Sequence, residues 1–205
     1  PSSMQPAGIC ILEKDIQAAA SALATAKRPL VIAQRGAGDA DSFALFGKWA
    51  EEWGIPVCSW WATHLAIDTD LPCHVGESPS PWLEEADVVL VLDCLAPWWP
   101  DKHKLPDDAY VINMGPDPLF SRFPIRNFRS NLSIAGESSD TIPALVAAMA
   151  AIGGDEEMIA ARRARRRGRC WRWRRRSAGT SRGRNARSPK GSWRMGSGAL
   201  VSASW

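Results

Sequence analysis

Apolar positions recur along this chain in two rhythms. Leu12, Ile16, Ala19, Ala20 and Leu23 are spaced as on one face of a helix, which predicts a surface helix whose last turn is closed by Lys27 and Arg28 before Pro29. The second rhythm is the short apolar run. Residues 30–33, 55–59, 88–92, 109–114 and 132–135 each read as a strand, and the uninterrupted run 88–92 suits a sheet covered on both faces. Between the first two runs, Phe43, Leu45, Phe46, Trp49, Ala50 and Trp53 form a helical stripe, with Asp41 as its expected N-cap and Gly54 as its stop. A short helix or loop is expected over 60–72, a loop over 76–81, a short helix over 82–86 and a loop over 94–106. The turn Gly115-Pro116-Asp117-Pro118 comes next, then a last helix over 141–152, capped at 138–140 and ended by Gly153-Gly154. Strands that alternate with helices predict an α/β fold: Rossmann-like, doubly wound, mostly parallel, with helices on both faces and right-handed crossovers.

Candidate chemistry gathers where those strands end. The run 30–33 leads into Gly36-Ala37-Gly38 and then a helix, the place where open α/β sheets receive ligands. These glycines could let a backbone approach a pyrophosphate at a helix N-terminus, although a Gly-x-Gly alone is first a tight strand-to-helix turn. Asp93 and Asp117 also follow strand ends and could meet a ribose hydroxyl or a cation; a solvated turn is their simpler role. His64, Cys58, Cys73 and His74 are zinc-type ligands by chemistry, but their spacing matches no metal motif, and no metal site is assigned. No catalytic residue is assigned either. Glu51-Glu52 and Asp155-Glu156-Glu157 read as solvated faces, and no nucleophile elbow is present. The pairs Trp60-Trp61 and Trp98-Trp99 cannot each be wholly buried on one strand face. One ring of each is expected to cover the sheet and the other to lie at a subunit or domain contact.

Charge changes the picture more than composition does. The formal net charge is +3, yet residues 1–157 carry 22 acidic and 10 basic groups while residues 158–205 carry 15 basic groups and no acidic one. The first part is acidic and has no generic affinity for nucleic acid. In the second, arginines and tryptophans interleave over 162–176, a pattern able to bind phosphate backbones and stack on bases. Five scattered cysteines, without a CxxC pair, point to a reducing cytoplasmic compartment rather than a disulfide framework. No apolar run approaches the ~20 residues that span a membrane.

Taken in order, RPLVIAQRGAG, WGIPV, HVGES, EEADVVLVLD, AYVINMGPDPLFSRFPIR and a final Ala-rich helix resemble the central domain of thiamine-diphosphate-dependent enzymes of the acetolactate synthase-like group. The resemblance covers residues 13–152. It implies a 13–154 domain between a 1–12 linker and a 155–205 tail, in an enzyme acting on 2-oxo acids by decarboxylation or carboligation. In that family thiamine diphosphate and magnesium are held through a Gly-Asp-Gly motif and a following Asn of one flanking domain, and a Glu of another activates the thiazolium. The middle domain holds FAD, an ADP-containing nucleotide or nothing. This sequence has no Gly-Asp-Gly. Where FAD-binding members place two acidic residues after the fourth strand, it has Gly115 and Asp117. The flavin-side loop here is Asp93-Cys94-Leu95-Ala96-Pro97-Trp98-Trp99. Cofactor-binding candidates are therefore Gly36, Ala37, Gly38, Asp93 and Asp117, with FAD or ADP the doubtful ligands.

The resemblance stops where the composition changes. After Ile159 there is no Asp, Glu, His, Gln, Phe, Tyr or Ile, the composition that a shifted reading frame over GC-rich DNA produces. The tail is expected to be disordered, and a truncated or frameshifted product after about residue 161 is preferred over a nucleic-acid-binding arm. Pro1 points to missing upstream sequence. The expected partners are a second copy of the chain or other domains of the parent enzyme, with nucleic acid as the minority reading and no membrane. A stand-alone nucleotide-binding module with a basic tail is the alternative function.

Overall fold

A computed structural model of the full chain describes residues 11–123 and 128–181. The elements follow the alternation of the sequence: α1 (Glu13–Thr25), β1 (Pro29–Ala33), α2 (Ala40–Glu52), β2 (Val57–Cys58), α3 (Ser80–Leu83), β3 (Val88–Leu92), β4 (Tyr110–Gly115), β5 (Leu132–Ala135), α4 (Ser138–Ile152) and α5 (Glu156–Ser181). The sheet is parallel throughout, in the order β2-β1-β3-β4-β5. From β1 the chain goes first to β2 on one side and then to β3 on the other, so the topological switch point lies between β1 and β3. Contacts separate a unit Pro1–Trp171 from Arg172–Trp205, and of the second only the helical residues up to Ser181 are described.

Alternation along the strands sorts the core into two layers. Val31, Ala33, Leu90, Leu92, Ile112 and Met114 face the layer built by α1, α2 and α4, where Phe46 and Trp49 are fully buried. Burial of each such large side chain is worth roughly 1.5–3 kcal/mol. The Trp49 indole N–H donates to Met149 Sδ at 3.2 Å, which satisfies it inside the core. Leu30, Ile32, Val89, Val91 and Val111 face the other layer. The helices on the two faces are unequal: this second layer is closed by the four-residue α3 and by the loops that carry Trp60 and Trp98.

Several boundaries differ from expectation, each for a local reason. Helix α1 ends at Thr25, because Lys27 and Arg28 turn their backbone N–H groups onto the Asp87 carboxylate at 2.7 and 2.9 Å instead of continuing the helix. Asp39, not Asp41, is the N-cap of α2, its Oδ1 accepting from Ser42 N–H at 2.8 Å. Strand β2 shrinks to two residues, since Pro56 has no N–H and Ser59 N–H bonds Gly76 O. Residues 60–72 contain no helix, α3 starts two residues early, and α4 begins at Ser138 with Glu137 as its N-cap.

Pro143 sits inside α4 and cannot donate to Ser139 O. That carbonyl instead lies 3.4 Å from the Ser42 hydroxyl of α2. Most of the linker expected over 1–12 lies outside the described residues, although Ile11 packs on the core. Of the tail, Glu156–Ser181 forms α5, and the residues after Ser181, with the rest of the disorder expected there, lie outside the described residues. No helix among the described residues is long and apolar enough to cross a membrane.

Candidate functional site

Strands β1, β3, β4 and β5 all end on one edge of the sheet, and the loops that leave them enclose a cleft of about 550 Å³. Gly36, Ala37, Gly38 and Asp93 line it, together with Arg35, His64, Pro116, Glu137 and Ser138. Four of the five candidate residues are thus brought together at the switch point. Asp117 is not among the lining residues. Its carboxylate accepts from Ser121 N–H at 2.9 and 3.0 Å and from the Ser121 hydroxyl at 3.1 Å, which closes a turn.

Two polar groups of the cleft engage one another. Arg35 Nη1 donates to Asp93 Oδ1 at 3.1 Å, and its guanidinium carbon lies 4.9 Å from the Phe120 ring centroid. Gln34 stitches the neighbouring loops: its Oε1 accepts from Leu95 N–H at 2.9 Å and its backbone O accepts from Thr63 N–H at 2.8 Å. At the N-terminus of α2 the Asp39 carboxylate occupies the place an anion would take. The backbone N–H of Ser42, then its hydroxyl, hold that carboxyl below its ordinary pKa.

The glycines serve packing. A Cβ on Gly38, whose φ is +89°, would lie 2.6 Å from Ser139 N at the start of α4. The turn is therefore pressed against a neighbouring helix, and glycine is required there for close approach. Gly115 serves a similar purpose. A Cβ there would stand 3.1 Å from Asp93 Cα, so the β3 and β4 loops touch where a longer side chain would need room.

His64, Cys58, Cys73 and His74 do not form a ligand set, and no group of three or more ligating side chains converges among the described residues. Cys58 and Cys73 are buried. His74 Nε2 pairs with Ser59 Oγ at 3.2 Å, and burial lowers its pKa.

Each tryptophan pair is split as its sequence requires. Trp60 and Trp98 are 8% and 6% exposed, whereas Trp61 and Trp99 are 52% and 39% exposed. Trp61 and Trp99 meet edge to face with centroids 5.2 Å apart, and Lys102 Nζ lies 4.6 Å from the Trp99 centroid. Trp61 holds a φ of +48°, a backbone cost that presents its ring outward.

The family profile described as "Thiamine pyrophosphate enzyme, central domain" matches residues 16–145. This chain belongs to that family. Two solved structures share its fold. One is a protein from Mycobacterium smegmatis described as a thiamin diphosphate-dependent enzyme, with 16% identity and a TM-score of 0.59. The other is the benzoylformate decarboxylase of Polynucleobacter necessarius, with 14% identity and a TM-score of 0.56. Each alignment covers 73% of this chain and 30% of the other, so the chain spans less than a third of the length of these enzymes. No curated protein matches the sequence. As a member of the thiamine pyrophosphate enzyme family, the chain supplies the middle α/β unit. The order of elements in the sequence located the cleft but not Arg35, which lines it beside Asp93; the Arg in AQRGAG was the available signal.

Proposed function

We propose that this chain is the central scaffold domain of an acetolactate synthase-like, thiamine-diphosphate-dependent enzyme of the cytoplasm that acts on 2-oxo acids by decarboxylation or carboligation. Thiamine diphosphate and magnesium are held by parts of that enzyme outside this chain, and the chain alone is inactive. One observation carries this reading. In the cleft at the switch point Arg35 is held by Asp93 and lies over Phe120, and the N-terminus of α2 is already capped by Asp39. A dinucleotide does not fit these residues: its pyrophosphate would meet Asp93 and Glu137, and the glycine turn is already packed on Ser139. Nor do they fit a metal-bound diphosphate, since Asp93 is paired with Arg35 and Asp117 with Ser121. On this reading Gly36, Ala37, Gly38, Asp93 and Asp117 are scaffold positions, and Trp61 and Trp99 form the contact with a second copy or a flanking domain.

Calorimetric titration of the chain with ADP, FAD, thiamine diphosphate plus magnesium, and a single-stranded oligonucleotide tests the proposal, alongside an assay for pyruvate turnover. The expected outcome is no saturable heat and no turnover. Micromolar affinity for ADP or FAD would overturn the scaffold reading in favour of a nucleotide-binding module.

A further inference from the structure

In a parallel α/β fold the helices that lead into strands all end at the sheet edge opposite the ligand edge. Each such end carries up to four carbonyls without intrahelical partners and a partial negative charge. Neither α1 nor α2 has a basic residue in its last turn, and α1 ends on Ala26 in an extended conformation rather than on a glycine cap. The end of α1 is therefore left without a cap of its own, whereas at α2 the Gly54 and Ile55 N–H groups already bond Glu51 O and Ala50 O.

Helix α5 completes this edge. Arg162 is 3% exposed, although it stands at the head of the most basic stretch of the chain. Its Nε donates to Ala26 O at 2.9 Å, one Nη to Trp53 O at 3.3 Å, and the other Nη to Leu23 O at 3.0 Å, Ala24 O at 2.8 Å and also Ala26 O. One guanidinium thus caps the ends of two helices. Only the five-donor fork of arginine reaches so many acceptors at once. Burial lowers the Arg162 pKa, with the charges of Asp87 and Asp155 acting the other way.

The neighbouring arginines extend the same contact. Arg163 donates to Glu52 O at 2.6 Å and to Glu51 O at 3.3 Å, while Arg166 grips the Glu51 carboxylate with both Nη atoms at 2.6 and 2.9 Å. Arg165 pairs with Glu85 at 3.1 Å and lies over the Trp82 ring. The receiving surface is shaped for this helix. A Cβ on Gly54, where φ is +65°, would come within 3.0–3.2 Å of Arg163 Cγ, Arg162 Cβ and Ile159 O.

We infer that the first turns of α5 are a clasp on the helix-terminal edge of the domain, with Arg162 as a shared cap for α1 and α2. The folded unit therefore includes residues up to Arg166, and the arginines at 162, 163, 165 and 166 are withheld from phosphate backbones. Phosphate contact requires free cationic groups, and these four have partners inside the protein.

Side-chain NMR of the full chain tests the clasp without any substitution. The Arg162 Nε–H is expected to exchange with solvent at least about 100-fold more slowly than that of Arg167, which is exposed. Addition of a single-stranded oligonucleotide should leave that protection intact. Arg162→Met should lower the thermal midpoint by about 10 °C, as expected when several buried carbonyls lose their donor. Arg162→Lys should recover less than half of the loss, and amides in the last turns of α1 and α2 should loosen together. Arg163→Ala should loosen α2 alone. Equal exchange at Arg162 and Arg167 overturns the inference, as does loss of protection on adding the oligonucleotide or an unchanged midpoint in Arg162→Met.

Discussion

The two edges of this sheet each carry an arginine, and the contrast between them shows how the domain is built. Arg35 lies at the carboxyl edge with its side chain 38% exposed, in a single ion pair with Asp93 over a water-accessible cleft. Arg162 lies at the amino edge, 3% exposed and bonded to the carbonyls of two helix ends. The same side chain is a loose strap at one edge and a buried cap at the other. The edge that hosts ligands in related architectures is held by interactions that water and salt weaken, and the edge that hosts none is held by interactions they hardly reach. A scaffold domain is expected to have this polarity, with its rigid side at the helix ends and its adaptable side at the loops.

Apart from Arg162 itself, the largest test of this contrast is Gly38→Ala. It adds a methyl at φ +89° against Ser139 N at 2.6 Å, so a loss of about 3 kcal/mol is expected in urea unfolding. Gly76→Ala, with φ +93° and nothing within 4 Å, isolates the backbone contribution and should cost only about 1 kcal/mol. If the two losses are equal, the glycine turn does not press on α4.

Next in size is the coupling between Glu51 and Arg166. A double-mutant cycle with Glu51→Gln and Arg166→Met should give about 1–2 kcal/mol at the partly buried fork. The same cycle on Arg35 and Asp93 should give less than about 1 kcal/mol and disappear in 1 M salt. Equal couplings would erase the distinction between the edges.

Acid should reveal the groups in a fixed order. Burial holds His74 and His103 below the ordinary histidine range. On acidification the unfolded chain therefore binds protons first, and stability is lost as the pH falls below about 6.5. Burial tends to raise the Glu51 pKa, but hydrogen bonds and charge from Arg166 outweigh it and hold it low. Its contribution is present above the unfolded value near pH 4.3 and is lost as the pH falls through the folded one. Thermal midpoints between pH 7.5 and 3 should show both steps, and Arg166→Met should shrink the second, to which Asp39 also contributes, without changing the first. The smallest effect concerns assembly. Trp61→Ala with Trp99→Ala should shift any oligomer seen by light scattering toward monomer at nearly unchanged stability, whereas Trp98→Ala should destabilise the fold itself by about 3 kcal/mol.

The identity of β3 was legible because a fully buried parallel strand is an unbroken apolar run, and Val88–Leu92 lies where that run lies; the edge strand Leu132–Ala135, only partly buried, also lies where its short apolar stretch does. The cleft followed from the order of elements, since strand ends and the glycine turn locate the switch point. The α2 cap was not legible: Asp39 and Asp41 flank the same helix start, and only backbone geometry separates them. Nor was the clasp. A hydrogen bond from Arg162 to Ala26 joins residues 136 positions apart, and no local pattern encodes that pairing. The hint was an absence, two helices ending without a cation of their own, next to an excess of arginine elsewhere in the chain.

The described thiols also carry a consequence. Cys58, Cys73 and Cys94 are buried. Burial, reinforced by the Glu51 carboxylate, pushes Cys73 up to about 12, and burial raises Cys58 as well. None of the three is reached by a modifying reagent until the structure around it opens. Cys73 lies beside the clasp through Glu51, while Cys58 and Cys94 belong to the tryptophan layer on the other face. Sulfur thus tags the two halves of the domain separately, and the order in which these cysteines are alkylated would time which face of the sheet lets go first.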